Sequence, residues 1–369
     1  MARRVLFTTD VVGGVWDFCL ELARELHVKQ SARVTMLALG EPSGAQIDQA
    51  ADVGVRLIVE PVKLEWMQHA EMDVLGTRNL VARLVREVRS DVLHANQFAA
   101  ACADVDVPVV LTLHSDVLSW RRLTLGATDT PPEWRPYKAL VSEALRRADS
   151  IAAVSRFLAD EARGLYGCGR DIRVIHNGWP EAMAGLLAAE RSQPTLVAGR
   201  AWDAAKNVSL VVEAAQGWNP GPVLLAGQQV NPESGAHCEV PPPLIALGFL
   251  PRKELEAVLL RSRIYLSAAR YDPFGLLPLQ AALAGCALLL SDIASYRELW
   301  DGAAAFFRSA DAADLRRQWS RLLDRPDLTL ELASRARRRA LERYTISHMA
   351  EAYLDLYGSL SRVRSAVAV

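Results

Sequence analysis

The sequence predicts an α/β protein with two parallel sheets, each buried on both faces. The first observation is a succession of short runs rich in Val, Leu and Ile that lack the polar alternation of half-exposed strands. The second is the amphipathic segments between them, which crossovers linking parallel strands require. The third is size: 369 residues, at about 100–200 residues per domain, make two compact units.

In the first half, strands are predicted near Val5–Thr8, Val34–Ala38, Val55–Val59, Val92–His94, Val109–His114, Ser150–Val154 and Arg173–Ile175. Helices between them include Asp17–Leu26, where Leu20, Leu22, Ala23 and Leu26 form an apolar stripe, and Thr77–Arg89, with its charges outside. In the second half, strands near Leu196–Gly199, Val223–Ala226, Ile245–Leu247, Ile264–Ser267 and Ala287–Leu290 alternate with helices near Asn207–Gln216, Lys253–Arg261 and Pro278–Ala284. A turn dipeptide and two prolines between Asn177 and Pro194 mark the join of two Rossmann-like halves. From Asp311 to Gly358 no strand pattern remains, only helices. Arg335, Arg337, Arg338, Arg339 and Arg343 cluster there; a solvated face is the default reading, and a peripheral contact with anionic lipid stays open.

Composition narrows the function. Hydrophobic residues make up 51%, charged residues 23%, and the net charge is −1, which argues against disorder and against a globally basic nucleic-acid binder. Cys19, Cys102, Cys168, Cys238 and Cys286 form no C-x-x-C pair, so neither a disulfide framework nor a thiolate zinc site is expected. The first residues hold only a three-residue apolar run, and no stretch reaches the roughly 18 apolar residues of a membrane span. A cytoplasmic location is the expectation.

Three segments carry chemistry. The first strand runs into Gly13-Gly14 and then a helix, where backbone must turn tightly or pass close to a ligand; G-x-G-x-x-G is absent, so dinucleotide binding is disfavoured. Gly199-Arg200 follows a strand and Lys206 precedes a helix, which puts two cations at the carboxyl end of a parallel sheet, suited to a diphosphate. In the block from Tyr271 to Cys286, Pro278 fits a first helical position and Gly285 a helix end. Gly275-Leu276-Leu277 then form an anion-holding loop that Asp272 and Gln280 flank.

Taken with Asp91-Val92-Leu93-His94, the strand leading to His114, Ala148 to Ser155, Arg173 to Gly178, Leu247-Gly248-Phe249-Leu250 and Ser291 to Gly302, the order and spacing of these motifs resemble glycosyltransferase family 4 over the whole chain. The resemblance implies a retaining transferase of GT-B fold. Residues 1–180 would form an acceptor domain, 181–340 a nucleotide-sugar domain and 341–369 a helix returning to the first domain, with a cleft between the two domains. It implies catalytic roles for His114, Asp272, Arg200 and Lys206. Gly13, Gly14, Arg200, Lys206, Phe249, Leu250, Asp272, Phe274, Gly275, Leu276, Leu277 and Gln280 would bind the donor. Trp16, Asp17, Trp66, Asn96, Asp116, Trp120 and Arg121 are the acceptor candidates.

The family's paired glutamates, seven residues between them, fall on Asp272 and Gln280, so weaker nucleotide binding is expected. A catalytically weakened GT-B pseudoenzyme acting as a binding or regulatory subunit is the alternative. The nucleotide-sugar would be a co-substrate and the partner a carbohydrate or other hydroxyl-bearing acceptor; no cofactor, metal or nucleic acid is expected. Asp104-Val105-Asp106 resembles a metal-binding D-x-D but reads as a solvated turn before Pro108. His94, at a strand end, reads as a packed structural histidine.

Overall fold

The computed structural model describes residues 3–182, 191–231 and 235–367. The expected join therefore lies partly outside the described residues. The chain divides into two compact units. Unit 1 takes the chain up to Ser119, Thr128–Gly178 and the residues from Ile346 on; unit 2 takes Trp120–Ala127 and Trp179–Thr345.

Among the described residues, unit 1 holds seven strands: β1 (Arg3–Asp10), β2 (Ala32–Leu39), β3 (Arg56–Glu60), β4 (Val92–Ala95), β5 (Val109–Leu113), β6 (Ser150–Ala153) and β7 (Arg173–Val174). They form one parallel sheet in the order β3-β2-β1-β4-β5-β6-β7, with Val5 in register with both Val34 and Val92. Every residue of β4 and β5 is buried, which explains why these strands read as unbroken apolar runs. The helix Gly14–Val28 buries Phe18, Cys19, Leu22, Ala23 and Leu26 in the same core as Met349, Tyr353 and Tyr357 of the terminal helix Ile346–Val367. Ser347 Oγ donates to Glu25 and Lys29 pairs with Glu351, fastening these two helices at their edges.

Unit 2 holds β8 (Gln193–Ala198), β9 (Val223–Ala226), β10 (Leu244–Gly248), β11 (Ser262–Ser267), β12 (Ala287–Ser291) and β13 (Ala305–Phe307), parallel in the order β10-β9-β8-β11-β12-β13. The edge strand β13 was not expected, because three residues are too few to show a period. The arginines of the helix Pro326–Arg343 are largely occupied: Arg335 pairs with Glu331, Arg338 with Glu342, and Arg339 donates to the carbonyls of Leu299 and Asp301. Arg339 thereby closes the carboxyl end of the helix Ala294–Trp300. Among the described residues, no helix is long and apolar enough to cross a membrane, and all five cysteines are free thiols.

His94 lies in the core of unit 1, with Nδ1 2.6 Å from Tyr357 Oη and Nε2 2.7 Å from Thr112 Oγ1, which is itself 3.0 Å from Tyr353 Oη. Burial holds both His94 and His114 down at about 3, well below an ordinary imidazole. Between pH 3 and 6.5 the unfolded chain therefore binds more protons at each site, and stability falls as pH falls, by about 1.4 kcal/mol per pH unit per histidine. Glu65, pushed up to about 7 chiefly by burial, works the other way and offsets one histidine between its unfolded value and pH 7. His94→Gln keeps a hydrogen-bonding side chain but does not titrate. Urea unfolding between pH 6.5 and 4.5 should show its slope against pH reduced by about 1.4 kcal/mol per unit; an unaltered slope would mean that His94 is protonated in the folded state.

Candidate functional site

In a doubly wound sheet, ligands bind beyond the carboxyl ends of the two central strands, where the crossovers depart in opposite directions and leave a crevice. In unit 2 that switch point lies between β8 and β11. The loop from Gly199 to Lys206 follows β8 and the loop from Ala268 to Gly275 follows β11, so residues far apart in sequence meet. Arg270 N–H donates to the Ala205 carbonyl at 2.8 Å, tying the loops together.

Asp203, only 7% exposed, organises the first loop: Oδ2 accepts from Arg200 Nη2 at 2.7 Å and Oδ1 from Ala205 N–H at 2.9 Å. The Arg200 guanidinium also lies 5.1 Å from the Trp202 ring centroid. Two contacts thus fix a side chain that would otherwise sample many rotamers. Across the crevice Lys206 Nζ donates to Asp272 Oδ2 at 3.1 Å, with both side chains partly buried. Asp203 was not singled out from sequence, since its spacing from Arg200 has meaning only once the loop is folded.

Gly275 adopts φ +81° and caps the helix Leu276–Leu283. The expected start at Pro278 is corrected by two residues. Proline fits at the third position because none of the first four N–H groups has an intrahelical partner. Leu276 and Leu277 are half-buried helix residues whose N–H groups belong to this unpaired set. Gln280 is buried one turn further on. Phe274 departs from its expected place: its ring is 3% exposed and packs edge-on at 5.7 Å from Tyr344, leaving its backbone for any donor contact. Phe249, just past β10, is 70% exposed, and Leu250 beside it is half-buried.

In unit 1 the switch point lies between β1 and β4. Asp10 Oδ1 accepts from the N–H groups of Val12 and Gly13 at 3.1 and 3.2 Å, shaping the loop that carries Gly13 and Gly14. Both glycines are exposed, and a Cβ at Gly13 would meet nothing within 4 Å. After β4, Asn96 Nδ2 donates to the Thr8 carbonyl at 2.8 Å, so Oδ1 is the acceptor facing His114 Nε2, also at 2.8 Å. His114 therefore carries its proton on Nε2, and with its low pKa the ring is neutral. Glu65 is a second residue that sequence reasoning missed. Its carboxylate accepts from Phe98 and Ala99 N–H at 2.6 and 3.1 Å, capping a short helix 33 residues away. The neighbouring Gln97 amide is buried, with neither oxygen nor nitrogen hydrogen-bonded among the described residues.

The remaining acceptor candidates differ in burial and in the unit they belong to. Trp16 is a core residue, 2% exposed, with Nε1–H donated to Gln49, because the buried side of its helix is where an indole gains most. Asp116 is buried and caps its own helix, accepting from Ser119 and from Tyr166 Oη. Trp120 and Arg121 belong to unit 2. Asp17 and Trp66 are half-buried in unit 1, and Asp104 and Asp106 are exposed. Among the described residues, no three His, Cys, Asp or Glu side chains gather as metal ligands.

The family model described as Glycosyltransferase Family 4 matches residues 12–181, and one described as Glycosyl transferase-like matches 197–355. The α-maltose-1-phosphate synthase of Mycolicibacterium smegmatis is 22% identical over 365 residues, covering 86% of this chain and 93% of the relative. Sucrose-phosphate synthase from Thermosynechococcus elongatus superposes with TM-score 0.77 at 14% identity, covering 98% of this chain and 100% of the other. Anabaena HepE in complex with UDP-glucose superposes with TM-score 0.75 at 17% identity, covering 96% and 99%. Two doubly wound parallel sheets and glycosyltransferase models matching both halves converge: the chain is a glycosyltransferase of GT-B fold whose first half matches the family 4 model.

Proposed function

We propose that this glycosyltransferase moves a sugar from a nucleoside-diphosphate sugar to an acceptor hydroxyl, with retention at the anomeric carbon and without a metal ion. The observation that carries the reading is the pair of cations, Arg200 and Lys206, at the switch point of unit 2 beside Asp272. Negative charge grows on the leaving diphosphate, and fixed cations together with the unpaired N–H groups at Leu276 and Leu277 are suited to stabilise it. That is the work a divalent cation would otherwise do. Asp272 would hold donor sugar hydroxyls, Gln280 the ribose, and the exposed segment at Phe249 and Leu250 the base. The acceptor hydroxyl would attack from the face the diphosphate leaves, giving its proton to a phosphate oxygen. His114, neutral and held by Asn96, would contact the sugar without adding charge. UDP-glucose bound to the structurally similar HepE supports this class of donor. The unpartnered Gln97 amide supports an acceptor rich in hydroxyls on unit 1.

Calorimetric titration with UDP, GDP and ADP in excess EDTA tests the donor half. One nucleotide should bind without metal, and Arg200→Ala should weaken it at least about tenfold, as loss of a charge-assisted contact predicts. Absence of binding at millimolar concentration would overturn the donor assignment. Retention is read from the anomeric proton coupling of the product, and an inverted product would sink that part.

A further inference from the structure

We propose that Tyr296 is a positioning residue for Asp272: with Lys206 it holds one carboxylate oxygen, so that the other is presented to a hydroxyl of the donor sugar. The proposal rests on the donor reading above and adds a residue to it.

Tyr296 is fully buried in the first turn of the helix Ala294–Trp300. Its hydroxyl donates to Asp272 Oδ2 at 3.1 Å, the same oxygen that Lys206 Nζ reaches at 3.1 Å. A phenol has one proton, so the 2.9 Å contact between Tyr296 Oη and Ser267 Oγ must be donated by the serine. The chain of donors runs from Ser267 to Tyr296 to Asp272. Burial keeps the phenol protonated far above its ordinary range, so it remains a donor at any working pH. The preceding residue acts in the same sense: Ser295 Oγ donates to the Asp272 carbonyl at 2.7 Å. Two adjacent side chains of one helix thus grip both the backbone and the carboxylate of Asp272.

The Tyr296 ring also limits the neighbouring turn. A Cβ at Gly275 would lie 3.1 Å from Tyr296 Cε1. The ring therefore occupies the floor beneath the Gly275 turn. Among the described residues no protein group bonds Oδ1 of Asp272, while Oδ2 has two donors. An aspartate has one methylene fewer than a glutamate with which to reach a ligand, so its usefulness depends on being fixed in the right rotamer.

The test compares a nucleoside diphosphate with its sugar. UDP with UDP-glucose, ADP with ADP-glucose and GDP with GDP-mannose are titrated into the unaltered chain, and the pair that binds is carried to Tyr296→Phe, Asp272→Ala and the double variant. Tyr296→Phe should weaken the nucleotide-sugar about tenfold and leave the nucleotide within twofold, as expected for a lost hydrogen bond to a charged group that acts on the sugar alone. In the Asp272→Ala background the same replacement should have no further effect, because nothing remains to be positioned. Equal weakening of both ligands, no weakening of either, or full additivity with Asp272→Ala would overturn the proposal while leaving the donor reading intact. If the unaltered chain binds no nucleotide, both fall. Should Tyr296→Phe lose its cooperative thermal transition, Ser267→Ala carries the same comparison, with an expected loss of about threefold for the sugar-bearing ligand only.

Discussion

Lys206→Ala is expected to lower turnover with saturating donor by a factor of about 10²–10³, the usual effect of removing one preorganised donor from a developing negative charge. The lysine is not a free surface cation. Its stem lies against Gly199, whose backbone leaves room for it: a Cβ there would be 3.2 Å from Lys206 Cγ. Its ammonium is 3.1 Å from Asp272. On the proposed donor reading, alanine removes a cation from the diphosphate, and it leaves the Asp272 carboxylate with only the Tyr296 hydroxyl on Oδ2. Both losses weaken the transition state more than the free enzyme, so kcat should fall more than the thermal midpoint moves. Lys206→Arg should not restore the rate, since a planar guanidinium does not match a point charge on a stem packed against backbone. Turnover within threefold of the unaltered chain would remove Lys206 from the chemistry.

Gly227→Ala should be the most damaging small substitution in unit 2. Gly227 follows β9 with φ +152°, and a Cβ built there would lie 1.8 Å from the Gly199 carbonyl oxygen and 2.5 Å from its carbon. These are backbone atoms and cannot swing aside. Gly199 N–H is bonded to the Ala226 carbonyl and Gly227 N–H to that of Gly248, so relief of the clash means parting the ends of adjacent strands. We expect a loss of about 4 kcal/mol or more, in the range kept for severe backbone conflicts, and a thermal midpoint lower by about 10 °C. The displaced segment carries Arg200, so nucleotide affinity should fall along with stability. A midpoint within 2 °C of the unaltered chain would show that the strand ends part at little cost.

The candidate site was legible in unequal parts. Gly13-Gly14, Gly199-Arg200, Lys206 and the Asp272 to Gln280 block stand out because loops at strand ends need glycine and caps, which local sequence displays. Gly227 went unnoticed, since a single glycine after a strand has many uses and the reason for this one is the Gly199 carbonyl, 28 residues earlier. Asp203, Glu65 and Tyr296 were missed for the same reason. Each acts through a partner defined by the folded loops, and a lone carboxylate or tyrosine carries no local pattern. Trp16 erred in the other direction, because an indole near a strand end has the same sequence signal whether it faces a ligand or the core.

The sequence by itself determined the α/β class, the two-unit organisation and every strand except the three-residue β13, because apolar runs, helical period and turn residues are properties of neighbouring positions. Only the tertiary structure decided that β8 lies between β9 and β11, and β1 between β2 and β4. That order brings Lys206 to Asp272 and Asn96 to the Thr8 carbonyl. The physical reason is that strand order is chosen by packing energy summed over the whole sheet, and no stretch of sequence contains it.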